Sequence, residues 1–249
     1  MLLYDNERID EVNDRLSLIQ KTDGLTFGTD ALLLAGYVTG KYKAGCELGG
    51  GSGIISMLLL TRDKVARIEA YEVQEEYAEL IERNAEYNSL SERLIPICAD
   101  VRDISAEEIC DIVFTNPPYM KSSSGLNNNL DKKAIARHEI CGNIVDFCNA
   151  AKRKLKYGGA FYAVYRPDRL CDIITAMREC SLEPKRITFV HADTESEASM
   201  VLIEAKRGGK SGMMLTKPLI IYKDKTHTEY GADMNYIMDN GSFPDTYKR

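Results

Sequence analysis

The chain has 249 residues, 44% of them apolar, with 38 acidic against 32 basic side chains and a net charge of −6 at pH 7. That supplies an ordinary globular core and excludes a protein that holds polyanions through overall charge; a nucleic-acid partner would have to be met by local basic patches. No apolar run approaches the roughly 20 residues that span a membrane, the stretch Met1 to Arg15 is too charged for a secretory signal, and seven cysteines without a C-x-x-C pair, beside three histidines, fit a reduced cytoplasm and argue against a metal centre. The organisation expected is one domain over 41–210, with an extension at 1–40 packing on it and another at 211–249 whose end is loose.

In chain order, Glu7 to Gln20 mixes charge with Ile9, Val12, Leu16, Leu18 and Ile19, too irregularly to separate a lead-in strand from a short helix. Gly24 to Asp30 is turn chemistry, and Thr29 or Asp30 is placed to cap an apolar helix Ala31 to Val38. Phe27 before it suits core packing, or alternatively the lining of a cofactor pocket. A strand Ala44 to Leu48 then runs into Gly49-Gly50-Gly51-Ser52-Gly53 and an apolar helix Ile54 to Thr61. Strand, glycine turn and helix expose backbone N–H groups at a helix N-terminus with no Cβ in the way. The spacing separates cofactors: Ile54 stands where a dinucleotide fingerprint needs Gly or Ala, and no Gly-Lys-Ser/Thr follows for a P-loop. What remains is acid-x-Gly-x-Gly-x-Gly, in which Glu47 can accept from the ammonium of an amino acid but would repel a pyrophosphate.

The next strand, Arg67 to Val73, carries Glu72 about 20 residues beyond the glycines, where a carboxylate binds ribose hydroxyls; a solvated acid opening the helix Gln74 to Asn88 is the plainer reading. That helix presents Tyr77, Leu80, Ile81, Asn84 and Tyr87-Asn88 along one packing face. A third strand, Leu94 to Cys98, leads to Asp100-Val101, which suits an adenine (amino group on Asp100, ring under Val101) or simply a turn-forming Asp.

The fourth strand, Ile112 to Thr115, delivers Asn116-Pro117-Pro118-Tyr119 at its carboxyl end, where ligands bind in open α/β sheets. The prolines restrict the turn. The Asn116 side-chain carbonyl and the Pro117 backbone carbonyl can then converge as acceptors, with Tyr119 as a flat face beside them. Two acceptors and an aromatic plate suit a planar substrate with an amino group: adenine N6, cytosine N4 or a carboxamide. Met120 to Asp131 is polar and suits a substrate-contacting loop. Lys132 to Glu139 follows as a short helix whose His138 is better placed for a structural hydrogen bond than for catalysis.

A helix Asn143 to Tyr157 closed by Gly158-Gly159, a strand Phe161 to Tyr165, a helix Asp168 to Cys180 and strands Arg186 to His191 and Met200 to Ala205 complete the alternation. The last two strands are joined by the acidic turn Asp193 to Glu197, too short for a crossover helix, so they should pair antiparallel in an otherwise parallel sheet with helices on both faces. Candidate basic patches are Lys132-Lys133 with Arg137, Lys152-Arg153-Lys154 with Lys156, Arg166 with Arg169, and Lys206-Arg207 with Lys210.

Taken together, Glu47-x-Gly49-x-Gly51-x-Gly53, Glu72, Asp100 and Asn116-Pro117-Pro118-Tyr119, each closing successive strands, resemble class I S-adenosylmethionine-dependent methyltransferases. The resemblance implies a Rossmann-like seven-stranded sheet with an antiparallel last strand, and S-adenosylmethionine as cofactor. It puts Gly49, Gly51 and Gly53 at the methionine part, Glu72 and Val73 at the ribose, Asp100 and Val101 at the adenine, and Asn116 between cofactor and substrate. Ile19 to Gly24, Phe27 to Ala35, Lys133 to Glu139, Arg166 to Leu170 and Pro218 to Tyr222 further resemble the bacterial group that methylates adenine-37 N6 in tRNA(Val). The activity implied is N-methylation of an exocyclic amine, adenine N6 in a tRNA anticodon loop. Glutamine N5-methylation of a protein uses the same Asn-Pro-Pro-Tyr loop and stays open, although only about 40 residues precede Glu47 where such enzymes carry a helical substrate domain. A non-catalytic RNA-binding relative stays open as well.

Overall fold

The computed structural model describes residues 3–22, 27–117 and 142–248. The chain opens with an antiparallel hairpin, β1 (Glu7–Asn13) and β2 (Leu16–Lys21), which forms a small sheet of its own. The strand alternative for the lead-in segment is therefore the one realised. The main sheet contains β3 (Tyr42–Leu48), β4 (Val65–Glu72), β5 (Leu94–Cys98), β6 (Cys110–Thr115), β7 (Leu155–Tyr165), β8 (Leu182–His191) and β9 (Ala198–Arg207). Their order is β5-β4-β3-β6-β7-β9-β8, with two-residue strands β10 (Met214–Leu215) and β11 (Leu219–Ile220) both on β8. Only β9 runs against its neighbours β7 and β8. The seven-stranded, mostly parallel sheet expected from the sequence is present, extended at one edge by the two short strands.

Helices cover both faces. α1 (Thr29–Tyr37), α2 (Ile54–Thr61) and α3 (Glu75–Tyr87) bury residues such as Leu34, Leu58 and Ile81 in one layer; α4 (Ile144–Lys154) and α5 (Leu170–Glu179) bury Phe147 and Ile173 in the other. Because successive side chains of a strand point to opposite faces, β6 divides its apolar run: Ile112 and Phe114 join the first layer and Val113 the second. A strand buried on both faces must be apolar throughout, which is why this one is recognisable as a continuous run.

Three local expectations are corrected. Neither Thr29 nor Asp30 caps α1; Gly28 is the residue before it, with no side-chain cap bond, and both lie in the first turn. Helix α4 stops at Lys154, because Leu155 is already extended at φ −73° and ψ 138°, so Gly158-Gly159 closes no helix. Instead it sits within β7, where the register against β6 slips between Cys110–Leu155 and Ile112–Ala160 and Gly158 adopts φ +79°, the signature of a bulge. The tail expected to be loose continues into α6 (Ala232–Asn240) and a last turn Asp245–Tyr247, with Phe243 and Tyr247 wholly buried.

Candidate active site

The strand order reverses between β3 and β6. β3, β4 and β5 step away in one direction, β6 and β7 in the other, which makes the carboxyl ends of β3 and β6 the switch point of the sheet. Leu48 and Thr115, the last residues of these strands, are register partners, and the Thr115 hydroxyl donates to the Leu48 carbonyl at 2.7 Å. Gly49 and Asn116 therefore leave the sheet from adjacent strands, which lie about 4.8 Å apart in any ladder.

The glycine turn is fastened to the end of β4. Gly49 and Gly50 N–H both donate to the Tyr71 carbonyl at 2.9 and 3.0 Å, and Gly51 N–H donates to the Glu72 carboxylate at 2.9 Å. Gly50 has its own steric reason: a Cβ there would come within 2.8 Å of Ile81 Cδ1, so the turn lies directly on α3. Gly51, at φ +55°, has nothing within 4 Å of where a Cβ would stand. The backbone at Gly51 is thus open on the side where a side chain would stand, which leaves room for a ligand to approach.

Glu72 is buried beside the turn and takes a second N–H, from Gln74, at 3.0 Å. Two donors occupy part of a carboxylate that has about four acceptor sites, and the remainder suits hydroxyls of a ribose. Val73 follows, partly exposed at the same strand end.

Glu47 differs from its expected role. Cys46 and Leu48 pack in the second layer, so the alternation of β3 sends Glu47 into the first, beneath α2, where it is 1% exposed and accepts the Ser56 hydroxyl. Burial raises its pKa to about 8, against the Ser56 hydrogen bond that lowers it. The carboxyl group ties the end of β3 to α2 and does not stand at the surface to meet an ammonium. Asp100 forms a turn at this strand end: its side chain accepts from Arg102 N–H at 2.8 Å and pairs with the Arg102 guanidinium, which holds its pKa below the usual carboxylate range. Val101, 5% exposed, sits in the second layer.

At the other corner Pro117 is buried and Asn116 half-buried. Asn116 Nδ2 donates to Asp30 Oδ2 at 2.7 Å, a bond between residues 86 apart in sequence. Asp30 also lines a cavity of about 320 Å³ with Thr29, Tyr165, Arg166, Ser199 and Met200, at the ends of β7 and β9. Sequence reading missed Asp30 as a site residue. The sequence reading assigns this acid, in the first turn of α1, to a helix cap. Phe27 packs against the first layer, and its N–H donates to Gln20 Oε1 at 2.8 Å. Pro118, Tyr119, the loop Met120 to Asp131 and the segment with His138 lie outside the described residues.

Several residues of the basic clusters pair within the chain. Lys154 is fully buried between Glu69 at 2.9 Å and Glu107 at 2.6 Å, Arg153 donates to the Val101 and Arg102 carbonyls, and Lys156 pairs with Asp111. Arg166 pairs with Asp168, Arg169 with Asp172 and Arg207 with Glu108. Lys132, Lys133 and Arg137 lie outside the described residues. Among the described residues no cluster of His, Cys, Asp or Glu could hold a metal ion, and no helix is long and apolar enough to cross a membrane.

Comparison with known proteins agrees with this arrangement. A tRNA1(Val) (adenine(37)-N6)-methyltransferase of Porphyromonas gingivalis is 27% identical over 200 residues, covering 76% of this chain and 78% of that protein. One of the same name from Dyadobacter fermentans is 25% identical, covering 71% and 73%. Among solved structures, a predicted O-methyltransferase, protein Atu636 from Agrobacterium tumefaciens, superposes with a TM-score of 0.69 at 22% identity over 86% of this chain and 98% of that one. TYW2 of M. jannaschii, solved with AdoMet, superposes with a TM-score of 0.58 at 14% identity over 83% and 88%. The methyltransferase small domain family matches over residues 21–180, a span that holds both the glycine turn and Asn116, and the chain thus belongs to that family as an S-adenosylmethionine-dependent methyltransferase.

Proposed function

We propose that this methyltransferase acts in the cytoplasm on an exocyclic amino group, adenine N6 in the anticodon loop of a tRNA. The observation that carries the reading is the pairing of Leu48 with Thr115, which sets the glycine turn beside Asn116. Gly49 to Gly53 would hold the methionine part of the cofactor, Glu72 and Val73 the ribose, and Asp100 and Val101 the adenine. When bound, the cofactor supplies an electrophilic methyl group on a sulfonium. An adenine amine is barely nucleophilic, because its lone pair is delocalised into the ring. Asn116 Oδ1 and the Pro117 carbonyl accept its two N–H hydrogens and draw the lone pair out of conjugation toward the methyl group, with Tyr119 under the ring. Pro118 would restrict the backbone of the residue before it, Pro117. No dedicated base is needed, since the methylated amine is strongly acidic and sheds its proton to solvent.

A base paired or stacked in a tRNA loop cannot reach this corner, so it must be splayed out. The cavity of about 320 Å³ lined by Asp30, the partner of Asn116, lies at the lower end of the range of ligand pockets, roughly 300–1,000 Å³. The names of the relatives support tRNA as the acceptor.

The test is to incubate the purified protein with labelled S-adenosylmethionine and unmodified tRNA transcripts, then identify the methylated nucleoside by mass spectrometry. N6-methyladenosine in the anticodon loop is expected. Asn116→Ala should lower turnover by about 100-fold or more, the scale of a lost alignment, while calorimetry shows cofactor binding within about threefold of wild type. Label appearing on protein glutamine with none on tRNA would replace this reading by the N5-glutamine one.

A further inference from the structure

We infer that Asp30 is a positioning residue for the reaction: its carboxylate fixes which end of the Asn116 amide faces the acceptor amine. The inference rests on the reading of Asn116 given above and concerns how that residue is held. A carboxamide has two ends of nearly equal size and opposite character, an NH₂ that donates and an oxygen that accepts. Turned one way, Asn116 offers an acceptor to the substrate amine; turned the other, it presents N–H against N–H. A neighbour that can both donate and accept would permit either orientation. A carboxylate only accepts, so only the NH₂ end can face Asp30, which is what the 2.7 Å bond from Asn116 Nδ2 to Asp30 Oδ2 shows. The orientation of the amide follows from the chemistry of the partner, independently of how similar the two ends look.

The backbone is built to let Asp30 reach that position. Gly28 has ordinary extended dihedrals, φ −118° and ψ −176°, so its torsions do not call for glycine. A Cβ on Gly28, however, would lie 2.8 Å from Asp30 Oδ1, inside contact distance. The missing side chain is room for the carboxylate to fold back. Asp30 also stands in the first turn of α1, where the helix dipole favours a negative charge, and it makes no capping bond there. Asp30 is among the residues that line the cavity of about 320 Å³, so its bond to Asn116 joins that cavity to the Asn116 amide.

The experiment compares Asp30→Asn, Asp30→Ala and the swapped pair Asp30→Asn with Asn116→Asp. Asp30→Asn keeps size and gives Asn116 a partner for either orientation, so kcat should fall by about 10- to 100-fold with cofactor affinity within about threefold and melting temperature near wild type. In the swapped pair, the amide now at position 30 donates to the carboxylate now at position 116, whose other oxygen is an acceptor toward the amine, and kcat should rise at least about fivefold above Asp30→Asn. Gly28→Ala should resemble Asp30→Ala.

A second readout needs no turnover. In nitrogen-15 spectra of asparagine-labelled protein, the Asn116 NH₂ resonances, assigned by their loss in Asn116→Ala, should be shifted and exchange-protected in wild type but not in Asp30→Ala. Unchanged resonances, or an unchanged kcat in Asp30→Asn, would overturn the assignment of Asp30. Loss of cofactor binding in proportion to kcat would do the same. Wild type labelling protein and not tRNA would sink the adenine reading, and the variants would then be ranked on the protein acceptor.

Discussion

Glu47 is the residue whose position departs most from what its place in the glycine motif implies, and the departure has a measurable consequence. Desolvation raises its pKa to about 8 from an ordinary value of 4.5, outweighing the Ser56 hydroxyl bond. In the unfolded chain the group ionises near its ordinary value, so between that pH and about 8 the folded state holds a proton that the unfolded state has lost. Stability from this group is fully present below pH 4.5 and lost as pH rises through about 8. Each unit of displacement corresponds to about 1.4 kcal/mol, so ionising Glu47 in place costs the fold on the order of a few kcal/mol. Glu47→Gln keeps an oxygen for Ser56 and removes the titration. Melting curves from pH 5 to 9 should show wild type losing stability toward alkaline pH more steeply than Glu47→Gln. Parallel profiles would mean that the carboxyl group is not the source. The acid was visible in the sequence because of its spacing before the glycines; its inward direction was not, since that depends on which layer Cys46 and Leu48 enter.

At the scale of elements, α3 does more than pack. Asn84 Oδ1 accepts from Ile19 N–H at 2.7 Å while its Nδ2 donates to the carbonyls of Ile19 and Ser52, both at 3.1 Å. Asn88, one turn on, repeats the pattern on Ser17, accepting at 3.1 Å and donating at 2.8 Å. A helix rises about 6 Å over four residues and a strand rises about 6.7 Å over two, so two amides at i and i+4 match alternate residues on the edge of β2. The edge of the hairpin is thereby closed by side chains, and through Ser52 the same helix holds the glycine turn. Asn84→Leu would leave a buried N–H and two carbonyls without this partner and should destabilise the protein by about 3 kcal/mol or more, at 1–3 kcal/mol for each of these unsatisfied groups. Denaturant titration measures it, and a loss below about 1 kcal/mol would show that the pairing is replaceable. The 3.6-residue period marks Asn84 and Asn88 as members of the packing face. It does not reveal that they meet backbone, because β2 lies some 65 residues away in sequence. By contrast β6 and the β8–β9 hairpin were legible: one carries the apolar run Ile112 to Phe114, and in the other the short acidic turn leaves no room for a crossover.

For the molecule as a whole, the C-terminal segment decides how firmly α1 is held. The helix carries Asp30 of the candidate site in its first turn and ends at Tyr37, about 10 Å further along its axis at 1.5 Å per residue. At that far end Phe243 packs edge-on against Tyr37 and Tyr247, and it lies under Gly36, where a Cβ would come within 3.5 Å of its ring. Arg186, buried on β8, reaches the Tyr37 carbonyl at 2.7 Å, the Tyr247 carbonyl at 2.8 Å and the Glu204 carboxylate at 2.9 Å. Lys64 adds bonds to the carbonyls of Ala35, Gly36 and Val38. A polar tail with two aromatic anchors carries no periodicity, which is why it looked loose in sequence; what seats it is a surface assembled from α1, β8 and β9. Phe243→Ala should cost about 3–5 kcal/mol, the range for emptying a buried aromatic site. If α1 transmits that seat to Asp30, kcat at a temperature well below the melting point should fall as well, with cofactor affinity kept, because the amide that Asp30 orients would be held less closely. A variant that loses stability yet turns over at the wild-type rate would show that the Asp30–Asn116 bond holds α1 in register without help from the tail.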